Sequence, residues 1–119
     1  MVVIDDDDMY REMIDAMLES ETMSVKTFNC GIAAIEYFQS ETADIILLDY
    51  MMPNLNGLAV LRLLKSSATL SKIPVVMLTG DSSKEIVVGS MKAGAKAYIV
   101  KPANQTLLLD KINSILSAQ

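Results

Sequence analysis

The strongest constraint on the fold of this chain is an alternation of short apolar runs with segments of helical periodicity. Segments of strand length occupy residues 2–4, 24–28, 43–48, 73–78 and 95–100; residues 24–28 alternate as a strand does, and the other segments are mainly apolar. Helical stripes are marked by Tyr10, Met13, Ile14, Met17 and Leu18, by Ala34, Ile35 and Phe38, by Leu58, Leu61, Leu64 and Ala68, and by Leu108, Ile112, Ile115 and Leu116. Strand–helix units repeated along one chain predict an α/β domain, with a five-stranded parallel sheet in the middle of a three-layer sandwich.

The fourth helix is predicted from its start rather than from a stripe. Ser82 followed by Glu85 is a capping-box pattern, which opens a helix that runs towards Ala93. The first, third and fourth strands are short and apolar. That pattern is expected when helices cover both faces of the sheet, so we predict a doubly wound (βα)5 arrangement.

Length and composition indicate one globular domain, which we expect to span residues 1–119. Hydrophobic residues make up 51% of the chain and charged residues 21%. No apolar run approaches the ~20 residues of a membrane helix, and no signal peptide is visible. A net charge of −5 without a basic cluster argues against direct binding of nucleic acid. The lone Cys30 fits a reducing compartment, so we expect a cytoplasmic protein that does not contact the membrane.

The residue types that are present limit the chemistry. The chain has no histidine and one cysteine, which excludes Ser-His and Cys-His catalysis and argues against a zinc site. Carboxylates, hydroxyls and lysines remain. The oxygens of the carboxylates and hydroxyls favour magnesium or calcium as a bound metal.

Strand 2 ends in Asn29 and Cys30, which look less reactive, whereas the other four predicted strands end in candidate site residues. They are Asp5, Asp6, Asp7 and Asp8 after strand 1, Asp49 after strand 3, Thr79, Gly80 and Asp81 after strand 4, and Lys101 and Pro102 after strand 5. In an open parallel sheet, sites lie outside the carboxyl ends of the strands. We therefore expect carboxylates, a hydroxyl and an amine to converge on one edge of the sheet.

Clustered carboxylates repel one another unless a cation neutralises them, and Mg²⁺ is the divalent ion that favours phosphate partners. Asp49 then has two candidate roles, as a metal ligand or as a nucleophile that attacks phosphorus. Phosphoryl transfer depends mainly on positioning and on neutralising oxygen charge, which Lys101, Thr79 and backbone amides after Asp49 can supply.

Each of these residues also has a plain structural interpretation. Asp7 and Asp8 open a helix, where acidic side chains are favoured by the helix dipole. Taken alone, Asp49 is a turn or cap residue, Lys101 a solvated side chain and Thr79 a loop hydroxyl. The conjunction of these residues at successive strand ends favours the functional interpretation.

Four motifs make the sequence closely resemble the CheY-like receiver domain of two-component response regulators over nearly its whole length. They are "VIDDDD", "LLDYMMPNLNG", "PVVMLTG" and "AGAKAYIVKP". The resemblance implies a flavodoxin-like fold with strand order 2-1-3-4-5. The residues alone leave the order of the strands open, so this expectation comes from the resemblance.

The resemblance also implies a phosphorylation site that uses Mg²⁺. Asp49 would be the phosphoacceptor, Asp5 and Asp6 would hold the metal ion together with Asp49, and Met51 would lend its backbone carbonyl to it. Apart from its own phosphorylation and dephosphorylation, such a domain is not an enzyme.

A second set of residues would read out the phosphorylation. Thr79 would bond the phosphoryl group, Lys101 would pair with it, and Tyr98 would change rotamer with Thr79. The Lys101–Pro102 peptide bond would be cis. The switch would act on the face formed by helix 4, strand 5 and helix 5, where the expected partner is an output domain, another protein or, on phosphorylation, a second copy of the chain.

The expected phosphodonor is a separate histidine kinase or phosphotransfer domain, or another domain of a longer parent chain, since this chain has no histidine. Two residues depart from the family pattern. Asn56 stands where many members have aspartate and still suits a tight turn before Gly57. Ala103 stands where many members have phenylalanine, which predicts a less packed loop after Pro102.

Helix 4 looks suited to a conformational change. Gly89 lies inside it and costs ~1 kcal/mol relative to alanine. Ile86, Val87 and Val88 are consecutive and cannot all face one core, so one should be exposed, as plain surface or as part of a partner-binding patch.

Two alternative functions remain open at this point. One is a phosphatase that uses an aspartate nucleophile, although Met51 stands where such enzymes have a second aspartate. The other is a receiver-like interaction module that is not phosphorylated. A related hypothesis concerns Met51, whose apolar side chain two residues after Asp49 should slow the attack of water on a phosphoaspartate.

Overall fold

The computed structural model describes residues 1–19, 23–52, 55–80, 83–102 and 104–118. Within these residues the strands are β1 (Val2–Ile4), β2 (Lys26–Phe28), β3 (Ile46–Asp49), β4 (Val75–Thr79) and β5 (Ala97–Val100). The helices are α1 (Asp8–Glu19), α2 (Gly31–Tyr37), α3 (Gly57–Ser66), α4 (Lys84–Lys92) and α5 (Gln105–Ser117), and a short 3-10 helix covers Leu70–Lys72. None of the described helices combines the length and the apolar character needed to cross a membrane.

The strands form one parallel sheet with the order β2-β1-β3-β4-β5. The predicted α/β class, the doubly wound (βα)5 arrangement and the strand order implied by the resemblance are therefore confirmed. In this order β1 and β3 are neighbours at the centre of the sheet, so that Ile4 is in register with Leu48. Their carboxyl ends bring Asp5 and Asp49 to the same edge.

Two apolar cores cover the two faces of the sheet. On one face, Ile4, Leu48 and Met77 pack with residues of α2 and α3 such as Ala34 and Leu61. On the other, residues of the strands pack with α1 and α5, and they include Val3, Leu47, Leu78, Ile14, Leu108 and Ile112. Successive strand residues point to opposite faces, so cover on both faces favours consecutive apolar residues, as in the fully buried β1, β3 and β4.

Strands β2 to β5 begin two or three residues later than predicted. Apolar residues continue before these strands, because a residue can be half-buried without pairing with a neighbouring strand. Ala43, for example, is half-buried and lies outside β3, which begins at Ile46. Pro74 has no N–H to donate to a neighbouring strand, and its carbonyl accepts from the amide of Ile46 at 3.0 Å just before β4 begins.

Two helix boundaries also differ from the prediction. Helix α3 ends at Ser66, so Ala68 is an exposed residue outside the helix and not part of its stripe. Helix α4 begins at Lys84 with Ser83 in the N-cap position. The predicted capping residue, Ser82, lies outside the described residues, as do Asp81 and Ala103.

The start of α3 lies directly against the end of β3. Asn56 is the N-cap residue, and its side-chain oxygen accepts a hydrogen bond from the amide of Ala59 at 2.9 Å. Asn56 therefore caps the helix, whereas the sequence predicted a place for it in a tight turn. A Cβ on Gly57 would lie 2.2 Å from the carbonyl oxygen of Asp49. Only glycine allows the helix to approach the strand this closely.

Helix α4 is mostly exposed or half-buried, and Ser90 is its one buried residue. As predicted for the run 86–88, one residue is exposed, and it is Val88. Gly89 has open space where a Cβ would be, so packing does not require glycine there.

Two glycine-to-alanine substitutions should therefore change stability in opposite directions. Gly57→Ala should lower the free energy of unfolding by about 1–3 kcal/mol, because a methyl group would overlap the backbone of β3. Gly89→Ala should raise it by roughly 1 kcal/mol through helix propensity. Urea denaturation of both variants against the wild type measures this, and a destabilised Gly89→Ala would contradict the open environment of that residue.

Candidate functional site

Residues that the sequence places at strand ends lie together at the carboxyl edge of the sheet. Asp5 follows β1, Asp49 ends β3 and Thr79 ends β4, and all three are buried. Lys101 follows β5 and is half-buried, whereas Asp6 is exposed. The edge therefore has a buried floor with an exposed carboxylate at its mouth.

Lys101 joins the two buried carboxylates. Its Nζ donates to Oδ2 of Asp5 at 2.6 Å and lies 3.4 Å from Oδ1 of Asp49. The same ammonium lies over the ring of Tyr10, with the ring centroid 4.2 Å from Nζ. One positive charge is thus shared by two carboxylates and the face of an aromatic ring.

The run of aspartates after β1 divides into different structural roles. Oδ1 of Asp5 accepts from the amide of Asp7 at 2.9 Å, which fixes the carboxylate that meets Lys101. Oδ1 of Asp7 accepts from the amides of Met9 and Tyr10 and so caps α1. Asp8 lies in the first turn of α1, as the helix-dipole interpretation predicted, and pairs with Arg11.

The electrostatics of Asp49 reflect its burial. Removal from water and then the charge of Asp5 raise the pKa of Asp49 to about 7, in spite of Lys101, which acts to lower it. Burial alone would lower the pKa of Lys101, but the hydrogen bond to Asp5 and the charges of Asp49 and Asp5 outweigh it and raise that pKa. The site holds more negative charge than one lysine neutralises.

The carboxylates are arranged so that they fit a metal ion. One oxygen each of Asp5, Asp6 and Asp49 lies within 4.8 Å of the others. All the donors in this cluster are carboxylate oxygens, which are the ligands that Mg²⁺ and Ca²⁺ prefer. The three aspartates predicted as metal ligands are therefore brought together, and the donor set suits a hard divalent cation.

Met51 lies beside the site with an exposed side chain, and its amide is 3.4 Å from Oδ1 of Asp49. The structure thus places an amide after Asp49 within reach of the carboxylate, as the sequence indicated. Pro53 and Asn54, which continue the "MMPN" motif, lie outside the described residues.

Thr79 and Tyr98 lie on the adjacent strands β4 and β5. Tyr98 is in register with Met77, and Met77 is two residues before Thr79, so both side chains leave the same face of the sheet. Tyr98 is half-buried and packs against the core on that face. The amide of Lys101 donates to the carbonyl of Thr79 at 2.7 Å, and the Lys101–Pro102 peptide bond is cis.

Two residues of the site were not predicted from the sequence. Tyr10 was assigned only to the apolar stripe of α1, where it does lie, but its ring also contacts Lys101. Arg11 donates to the backbone carbonyl of Asp5 at 2.6 Å. The spacing of apolar residues shows which side of a helix is buried. It does not show which other residue contacts that side, so neither contact could be predicted from the sequence.

Comparison with known proteins identifies the class of this fold and site. Residues 1–113 match the family described as response regulator receiver domain. The chain belongs to this family. It is a receiver domain, homologous to those of response regulators and histidine kinases, and it has a phosphoacceptor role in two-component signalling.

Individual relatives differ in what surrounds the shared domain. The transcriptional regulatory protein CseB of Streptomyces coelicolor is 32% identical over 116 residues, which cover 98% of this chain and 48% of that protein. The CAI-1 autoinducer sensor kinase/phosphatase CqsS of Vibrio cholerae is 33% identical over 113 residues, or 94% of this chain and 16% of that protein. This chain thus spans about half, or less, of these relatives.

A solved structure supports the fold in detail. The signal receiver domain of a signal transduction histidine kinase from Syntrophus aciditrophicus matches with a TM-score of 0.91 and 29% identity. The match covers 98% of this chain and 89% of that chain. The flavodoxin-like receiver architecture therefore holds over almost all of the sequence.

The carboxylate cluster predicts that Mg²⁺ stabilises the fold through Asp6. At a Mg²⁺ concentration about ten times its Kd, the wild type should gain about 1.4 kcal/mol in free energy of unfolding. Asp6→Asn should lose most of this gain while its stability without metal changes by less than about 0.5 kcal/mol, because Asp6 is exposed. The measurement is urea denaturation with and without MgCl₂.

Asp110→Asn is the matched control, since Asp110 is an exposed aspartate on α5 outside the cluster. It should respond to Mg²⁺ as the wild type does. An equal response of all three proteins would show that the cluster is not the site at which Mg²⁺ acts.

Proposed function

We propose that Asp49 is the residue that accepts the phosphoryl group, with Mg²⁺ bound by Asp5, Asp6, Asp49 and the backbone carbonyl of Met51. The observation that carries this proposal is the position of Asp49, a buried carboxylate at the end of a central strand that faces Asp5 and Lys101. A nucleophile held by a rigid strand keeps its orientation toward the incoming phosphorus.

The proposed step forms one bond and breaks another. A carboxylate oxygen of Asp49 attacks the phosphorus of a phosphohistidine on the donor, and the phosphorus–nitrogen bond breaks. Its electron pair stays on the imidazole nitrogen, which takes up a proton. The product is an acyl phosphate on Asp49, which explains why the receiving chain needs no histidine of its own.

The surrounding residues would stabilise the charge that moves in this step. Bound Mg²⁺ would neutralise charge on the phosphoryl oxygens. Lys101 already lies 3.4 Å from Oδ1 of Asp49, so its ammonium is placed to pair with a phosphoryl oxygen attached there. Thr79 would donate its hydroxyl to another phosphoryl oxygen. Such preorganised charge is the main source of catalysis in phosphoryl transfer.

The response to phosphorylation would pass through Thr79 and Tyr98. Their shared face of the sheet and adjacent strands support a coupled movement, in which Thr79 moves inward and Tyr98 occupies the space released. The domain would then shift between two packings of α4, β5 and α5. Exposed apolar side chains on these elements, Val88, Met91, Val100 and Leu107, support their use as the output face.

The partners follow from this mechanism. The donor would be a histidine kinase or a phosphotransfer domain, and the output would be a further domain, a separate protein or a second copy of the chain bound on phosphorylation. The names of CseB and CqsS show that related receivers occur in a transcriptional regulator and in a sensor kinase. We infer that residues 1–119 form one such receiver domain, acting in the cytoplasm without direct contact with nucleic acid.

Asp49→Asn should abolish phosphorylation. With Mg²⁺ and a small phosphodonor such as acetyl phosphate, the wild type and the Asp110→Asn control should both shift on a phosphate-affinity gel, because their nucleophile is intact. Asp49→Asn should not shift, since an amide oxygen does not form a stable acyl phosphate. Equal labelling of this variant would reject Asp49 and favour another carboxylate of the edge.

Met51→Asn should shorten the lifetime of the phosphorylated form. The exposed methionine is apolar and lies two residues after Asp49, where it limits access of ordered water to the phosphoryl group. An amide at that position can bind and orient a water molecule. The measurement is the rate of phosphate release after the donor is removed, and a release rate no slower in the wild type than in the variant would end the hypothesis.

A further inference from the structure

We propose that Tyr10 is a positioning residue, whose ring face holds the ammonium of Lys101 beside Asp49 for phosphoryl transfer. The inference deepens the proposed phosphorylation of Asp49 and rests on it. It concerns a residue that the sequence pattern assigns only to the core.

The ammonium of Lys101 has three close contacts. It lies 2.6 Å from Oδ2 of Asp5, 3.4 Å from Oδ1 of Asp49 and 4.2 Å from the centroid of the Tyr10 ring. The face of an aromatic ring carries partial negative charge and attracts a cation within about 6 Å. The Tyr10 ring therefore adds a third attraction to those of the two carboxylates.

The ammonium of Lys101 must be held by contacts at the end of the side chain, because the side chain itself is flexible. A lysine has a flexible four-carbon stem and three donors without a fixed direction. The peptide backbone of Lys101 follows β5, outside regular structure, so its strand does not fix the ammonium. Contacts at the tip of the side chain must do so, and the ring and the two carboxylates are the contacts shown.

Tyr10 is itself held firmly. Its amide donates to Oδ1 of Asp7 at 3.3 Å in the cap of α1, and the side chain is buried in the core between α1, α5 and the sheet. Arg11, the next residue, donates to the backbone carbonyl of Asp5 at 2.6 Å. The ring and Asp5 are thus parts of one connected segment, so their positions around Lys101 are set together.

The ring suits a lysine that must change partners. During the proposed transfer, Lys101 exchanges carboxylate contacts for a phosphoryl oxygen. A third carboxylate at the place of Tyr10 would add repulsion toward Asp5 and Asp49 and compete for the ammonium hydrogens. The ring attracts the charge without accepting those hydrogens as a carboxylate would, and it shields that side from water, which strengthens the remaining charge interactions.

The test compares three side chains at position 10 in the phosphorylation of the intact chain by acetyl phosphate with Mg²⁺. Tyr10→Phe keeps the ring face and should react at about the wild-type rate. Tyr10→Leu keeps apolar bulk without the ring and should lower the rate constant at saturating donor by about 3- to 30-fold. The Mg²⁺ affinity should remain within about twofold, because the carboxylate ligands are unchanged.

A purely structural role predicts a different pattern. Tyr10→Leu would then melt at a lower temperature, but below that temperature it would be phosphorylated as fast as the wild type. That result overturns the inference, as does a Tyr10→Phe variant as slow as Tyr10→Leu. An unreactive wild type overturns both the inference and the proposed function, so the two failures are distinguishable.

A second measurement covers the case in which Tyr10→Leu fails to fold. Replacement of Tyr10 by phenylalanine and by its pentafluoro analogue keeps the ring shape while fluorination reverses the charge distribution on its face. The fluorinated protein should be phosphorylated more slowly than the phenylalanine variant, with unchanged Mg²⁺ affinity. Equal rates for the two would overturn the inference.

Discussion

The sharing of one lysine by two buried carboxylates is the interaction on which the site depends. Asp5 and Asp49 are both removed from water, and Lys101 supplies one positive charge against two negative ones. Buried charge is destabilising unless it is paired. Removal from water, and then the charge of Asp5, raise the pKa of Asp49 to about 7 in spite of the lysine. The exposed Asp6 at the mouth completes a set of oxygens suited to a divalent cation.

This unfavourable arrangement of charges persists because tight packing restricts the backbone around it. Asp5 and Asp49 extend from the two central strands, which are covered on both faces by apolar cores. The start of α3 presses against the end of β3 so closely that Gly57 has no room for a side chain. The close packing at the end of β3 therefore holds Asp49 at the edge where Asp5 lies. By contrast, α4 buries little and carries Gly89 without a packing reason, which is consistent with an element that changes its packing.

The spacing of apolar residues predicts those parts of the structure that have a regular period, the strands and the helices. The apolar character of strands 1, 3 and 4 predicted that helices cover both faces of the sheet. The residues after the predicted strands, among them Asp5, Asp49, Thr79 and Lys101, predicted the edge that carries the site. The strand order carries no such period and came from the resemblance to receiver domains. Strand starts were predicted too early, because half-buried residues such as Ala43 are apolar without being paired. Asn56 was assigned to a turn, since the same residue type serves turns and helix caps. Tyr10 was found only as a core residue, because its contact with Lys101 joins opposite ends of the chain.

Chemical mapping of the phosphorylated residue tests the central claim most directly. Borohydride reduces an acyl phosphate on aspartate to homoserine, and peptide mass spectrometry then identifies the position. After treatment of the wild type with Mg²⁺ and acetyl phosphate, we expect homoserine at position 49 and none in the untreated protein. Homoserine at Asp5 or Asp6 instead, or at no aspartate of the chain, would contradict the account of Asp49 as the nucleophile.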